Sequence, residues 1–175
     1  MTPAELKHYL LHNATSNGLT NFVANGAICW FLIKDKGDVT WWGHESNFGF
    51  DLLATGFILP FIVALIVIPL QRSKARKGKV KAVSAAVVPP MLRRFLSMPG
   101  NLWGQAALFG LLGMAAISAP TLGILATVGI EMFTPQAYAW FKGIWAGVLA
   151  AVLVLPMIVV ALVPRGEVAL KSAAD

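Results

Sequence analysis

The chain has 175 residues, 57% of them hydrophobic and 13% charged, with a formal net charge of +6 and a mean hydropathy of +0.70. Soluble domains carry about 25% charged residues, and apolar runs as long as these would lie uncovered in water, so the composition excludes an ordinary soluble domain. A single cysteine, Cys29, excludes an intrachain disulfide framework.

The first 18 residues hold Glu5, His8, His12, Asn13 and Gly18 instead of a basic start followed by an unbroken apolar stretch, so no cleaved signal is expected. His8 and His12 share one side of an N-terminal helix. With no third ligand nearby they favour an interfacial helix over a metal site.

A first membrane span is expected at about 15–34, and Asn13, Asn17, Asn21 and Asn25 run into it at four-residue steps. At 100° per residue the four sweep about 120° of one helix side while rising about 18 Å. Carboxamides are costly in lipid, so this face must meet protein or water. Further outward the same sector carries Ile28, Phe31 and Leu32, so the polar face ends near the midplane.

The loop at 35–46 contains Asp35, Asp38, Trp41, Trp42, His44 and Glu45. A second span follows at about 47–71, with Asp51 as its one charge and with Pro60 and Pro69 inside it. Asn47, Asp51 and Thr55 are again four apart, in its outer half. If the two polar faces oppose, they outline an inward and an outward recess separated by apolar side chains near Asn25 and Phe31.

The connection at 72–102 holds Arg72, Lys74, Arg76, Lys77, Lys79, Lys81, Arg93 and Arg94, eight of the fourteen basic residues, and no acid. By the positive-inside rule this loop and both termini are cytoplasmic, in keeping with Lys7, Arg165 and Lys171. The six charges from Arg72 to Lys81 predict contact with anionic lipid. They lack the interleaved aromatics of a nucleic-acid module. From Met91 to Leu96 the pattern suits a short helix lying on the inner surface.

A third span is expected at about 103–131, kinked where Pro120 removes a backbone hydrogen bond. The fourth, at about 137–164, is uncharged from Gly143 to Val163 and holds Pro156. In it Gly143, Gly147 and Ala151 predict a face for close helix packing. Glu131 and Lys142 flank the last short loop and are expected to pair across it.

A shift of 96 residues lays Leu53, Leu59, Pro60, Ile62 and Val63 over Leu149, Leu155, Pro156, Ile158 and Val159. The same shift brings Asn25 onto Thr121 and span one onto span three, although the Asn ladder has no counterpart. This points to a 2+2 repeat in which the halves share one orientation about an axis along the membrane normal. The expected fold is an all-α membrane protein of four transmembrane helices in one domain, 1–175.

The Leu-Pro-x-Ile-Val step of each half, with Pro69-Leu70-Gln71-Arg72 and Val163-Pro164-Arg165, resembles small bacterial inner-membrane proteins of uncharacterised function, some labelled permeases. The resemblance implies a multi-pass inner-membrane location and no known active site. Small multidrug-resistance exporters also have four short spans, but their glutamate in the first span is missing here.

No phosphate-binding glycine loop and no nucleophile with a positioned base are visible, so neither an enzyme nor a cofactor is expected. Two classes remain. In the first, a small permease or channel, an oligomer surrounds a path for a small polar solute or ion lined by Asn17, Asn21, Asn25, Asp51 and Thr55, and rearranges around Pro60, Pro120 and Pro156. In the second, an accessory or scaffold subunit uses the same face and the small-residue stripe to bind another membrane protein. Expected partners are membrane lipids and either further copies of the chain or another membrane subunit.

Overall fold

The computed structural model describes residues 1–42 and 46–164. His44, Glu45, Arg165 and Lys171, used above for topology, lie outside the described residues.

The fold is all-helical apart from one two-residue strand pair. Helix α1 spans Pro3–Ile33, and it begins where the Thr2 hydroxyl accepts from the Glu5 backbone N–H while the Glu5 carboxylate accepts from that of Thr2. Such a reciprocal cap satisfies two donors that a helix start otherwise leaves open. It carries α1 well upstream of position 15, and at 31 residues the helix is about 46 Å long.

Strand β1 (Val39–Thr40) leads to α2, Phe48–Arg76, whose first turn is capped by the Asn47 side chain on Phe50 N–H. In the basic connection lie a 3₁₀ turn at Ala85–Val87, the short helix α3 at Pro90–Arg93 and a second 3₁₀ turn at Arg94–Ser97. Phe95 stacks on Phe109, which seats this segment on one end of the bundle.

Helix α4, Leu102–Gly113, passes through a π turn at Met114–Ser118 into α5, Ala119–Val128. The wider turn ends just before Pro120, where the chain must manage without one backbone donor. Gly129, at φ 77°, then closes α5 in the left-handed conformation that glycine adopts without strain. Strand β2 (Met132–Phe133) pairs antiparallel with β1, and α6 runs Pro135–Leu162.

Among the described residues three helical rods are long and apolar enough to cross a membrane: Phe48–Arg76, Leu102–Val128 and Pro135–Leu162. Helix α1 is not among them, because Asn, Thr and Gly dilute its apolar residues. Along the rods Ile58, Ile62 and Ile66 of α2 and Ile144, Val148 and Val152 of α6 are exposed at helical spacing. Apolar side chains turned outward in rows suit a lipid solvent.

Packing follows a crossed pattern. Helix α1 lies along α6, the α4–α5 rod lies along α2, and α2 and α6 pack against each other. Both outer seams are built on small residues. A β-carbon on Gly143 would stand 3.2 Å from Gly26 Cα, and one on Gly147 would stand 2.9 Å from the Gly18 carbonyl oxygen. On the other seam a β-carbon on Gly56 would overlap the Ser118 hydroxyl, which donates to the Leu52 carbonyl at 2.9 Å. The centre is filled by Leu149, Leu153, Met157 and Ile158 of α6 with Leu52 and Ile68 of α2, all buried.

Two sets of contacts define the ends of the bundle. At one, the Met1 ammonium donates to Ala82 O, Val83 N–H to Leu162 O, and Lys81 pairs with Glu5 at 3.0 Å. At the other, β1 and β2 tie the two short loops together.

Candidate polar groove and outer cavity

The Asn ladder is built by the helix itself. Asn13, Asn17, Asn21 and Asn25 each donate from Nδ2 to the backbone carbonyl four residues earlier, at 2.8, 2.9, 2.9 and 3.0 Å. One amide hydrogen per side chain is thereby satisfied without a second helix. The four are half-buried, beside the Gly18, Phe22 and Gly26 contacts with α6.

At its N-terminal end the ladder meets α2. Gln71, 2% exposed, donates from Nε2 to Asn13 Oδ1 at 3.2 Å and accepts from the Tyr9 hydroxyl at 2.6 Å. For Asn17, Asn21 and Asn25, no hydrogen bond reaches Oδ1 among the described residues. Partly buried acceptors without partners are costly unless water or a solute supplies a donor.

At its C-terminal end Asn25 borders a cavity of about 270 Å³, shared with Cys29 of α1, Asp51 of α2 and Tyr138 and Lys142 of α6. Lys142 Nζ donates to both Asp51 carboxylate oxygens, and the Tyr138 hydroxyl donates to one of them. Tyr138 and Lys142 are four residues apart on one face of α6, so both reach the same carboxylate. Lys142 is therefore held by Asp51, and the expected pairing with Glu131 does not form. Glu131 lies in the exposed segment before β2, whereas Lys142 sits two turns inside α6 on the side turned to α2.

The other residues singled out from the sequence separate in space. Thr55 is half-buried on α2 and does not line the cavity; Asn17 and Asn21 lie deeper on α1. Pro60 and Pro156 are buried in the centre, while Pro120 is exposed beside the π turn. Gly143 and Gly147 are buried and Ala151 is half-buried, with its β-carbon 3.2 Å from where one on Gly18 would stand.

In the basic connection Arg76, Lys77 and Lys79 are exposed and Lys74 is half-buried. Arg72 and Lys81 are engaged within the protein, Arg72 donating to Gln105 Oε1 at 3.0 Å and Lys81 to Glu5. Hydrogen bonds from Thr2 and Lys81, with the charge of Lys81, lower the Glu5 carboxyl from its ordinary value to about 2.

Sequence reasoning missed Tyr138, Gln71, Gln105 and Ser118. Of these, Gln71 and Gln105 carried a signal: an uncharged polar residue beside an apolar run must find a partner.

No known protein family, curated protein or solved structure matches the chain.

Proposed function

We propose that this protein is a small permease-like or channel-like protein of a bacterial inner membrane, moving a small polar solute or ion along the Asn face of α1. In this reading α1 is a fourth span and both termini with the basic connection are cytoplasmic. The crossed packing, in which the first helix of each half lies on the second helix of the other, is what a two-fold axis along the membrane normal generates, and so supports the 2+2 repeat.

One observation carries the proposal. The unpaired Oδ1 atoms of Asn17, Asn21 and Asn25 form a row that joins the Tyr9–Asn13–Gln71 cluster at one end to the Asp51–Lys142 cavity at the other. Spaced acceptors of this kind solvate a migrating solute in steps. The side-chain-filled centre leaves no room for a wide internal channel, so in this reading the path runs along the margin of the bundle and a second copy closes it.

The scaffold reading has its own support: each ladder side chain already donates to its helix, so a partner helix need supply donors only to the Oδ1 atoms. Single cysteines at positions 17, 21 and 25 in a Cys29→Ser background, tested in proteoliposomes, separate the two. Rapid modification by a membrane-impermeant thiol reagent, together with urea or glycerol flux above protein-free vesicles, is the expected result. Protected positions without flux overturn the permease in favour of the scaffold.

A further inference from the structure

The outer cavity limits which solutes it can hold, and the argument rests on the permease reading. Three charged side chains line it: Asp51 and Lys142, in contact and with side chains 34% and 12% exposed, and Lys36, which is exposed. The Ser46 hydroxyl also lines the cavity, buried and without a hydrogen-bond partner among the described residues. Ile28, Leu32 and Val39 supply an apolar wall.

An anion entering this space meets Asp51, and a cation meets Lys142. For either one the Asp51–Lys142 pair offers no free counter-charge in a partly desolvated site, and the exposed Lys36 ammonium, screened by water, offsets an anion only weakly. A solute bearing both charges adds no net charge. Its ammonium takes the place of Lys142 on the Asp51 carboxylate, its own carboxylate receives the freed Lys142, and one ion pair becomes two with no change in net charge. Tyr138 keeps its bond to Asp51 throughout. We propose that the outer cavity binds a small zwitterion of the amino-acid class, with its ammonium on Asp51, its carboxylate on Lys142 and a short side chain against Ile28, Leu32 and Val39. A volume of about 270 Å³ lies just below the usual 300–1,000 Å³ range of drug-sized sites, which favours an alanine-sized ligand over a large one.

The test is equilibrium binding of radiolabelled alanine to the full chain in lipid nanodiscs, competed by propionate and by ethylamine, which each carry half of the zwitterion's charge. The expected result is saturable binding, displaced by unlabelled alanine at concentrations at least about tenfold lower than either half-molecule requires. Asp51→Asn is expected to weaken it by a similar factor. Because that variant leaves Lys142 unpaired and threatens the fold, the competition in the unmodified protein decides. No saturable binding, or equal displacement by a half-molecule, overturns the proposal. Flux of alanine, urea and glycerol in proteoliposomes distinguishes the two readings: urea or glycerol flux without alanine binding removes the zwitterion and keeps the permease, and alanine binding without flux of any of the three keeps the binding site and removes the permease.

Discussion

Gly147 and Gly18 face each other across the α1–α6 seam so closely that a β-carbon on Gly147 would lie 2.9 Å from the Gly18 carbonyl oxygen. The obstructing atom is backbone and cannot swing aside. Gly147→Leu should therefore push α1 off α6 and cost about 1–3 kcal/mol or more. A fall in melting temperature with new protease cleavage in α1 would show it. Gly123→Ala is the control, since nothing lies within 4 Å of its added methyl, and helix propensity gains up to about 1 kcal/mol.

Asp51→Asn should destabilise by about 1–3 kcal/mol, below the ~3–5 kcal/mol of a fully buried broken pair, because Asp51 keeps a third of its exposure. Lys142→Met should cost less, because the carboxylate it leaves behind is more exposed than the ammonium and keeps its bond from Tyr138. The double substitution should cost clearly less than the two singles added together. Denaturant titration of all four proteins measures the coupling, and strict additivity would refute the pair.

Glu5 is held below its ordinary range in the folded chain, at about 2 against 4.5. A lowered folded value means that its contribution to stability is fully present above 4.5 and is lost as pH falls toward 2. Release of the N-terminus from Lys81 should follow that window and shrink in high salt, since both groups are exposed. Titration of Glu5 by NMR checks it, and Glu5→Gln should remove the dependence.

Asn21→Leu removes one side-chain bond to Asn17 O and should change stability by no more than about 1.5 kcal/mol, while helix propensity improves. A folded variant that has lost flux fits a solute path. Unchanged flux would argue that the ladder has no part in transport.

Ser118→Ala takes away the hydroxyl that reaches the Leu52 carbonyl and should cost about 1 kcal/mol. Gly56→Ala should be far worse, because its methyl would collide with Ser118. Comparing the two melting temperatures tests whether steric fit or the hydrogen bond governs that seam.

The three apolar rods were legible because unbroken runs such as Gly143 to Val163 have one stable setting. The start of α1 at Pro3 lies well upstream of the expected span, because the polar residues after Glu5 drew that boundary inward. The π turn left no mark beyond Pro120, since no local pattern distinguishes Met114–Ser118 from ordinary helix. Asp51 and Lys142 are 91 residues apart, and no local rule pairs them. The nearer candidate, Glu131, failed because proximity along the chain says nothing about which side of α6 a lysine occupies.

The crossed seams also set an order of assembly. During synthesis α1 is made first, yet the glycine surface it needs belongs to α6, which is made last. Until then its carboxamide row reaches another helix only where Asn13 meets Gln71 of α2, and the face around Gly18 and Gly26 has no neighbour. On the proposed four-span reading the helix least suited to lipid must therefore wait longest for its partner, and truncating the chain before α6 should leave α1 poorly held in the membrane while α2 and the α4–α5 rod keep their own contact.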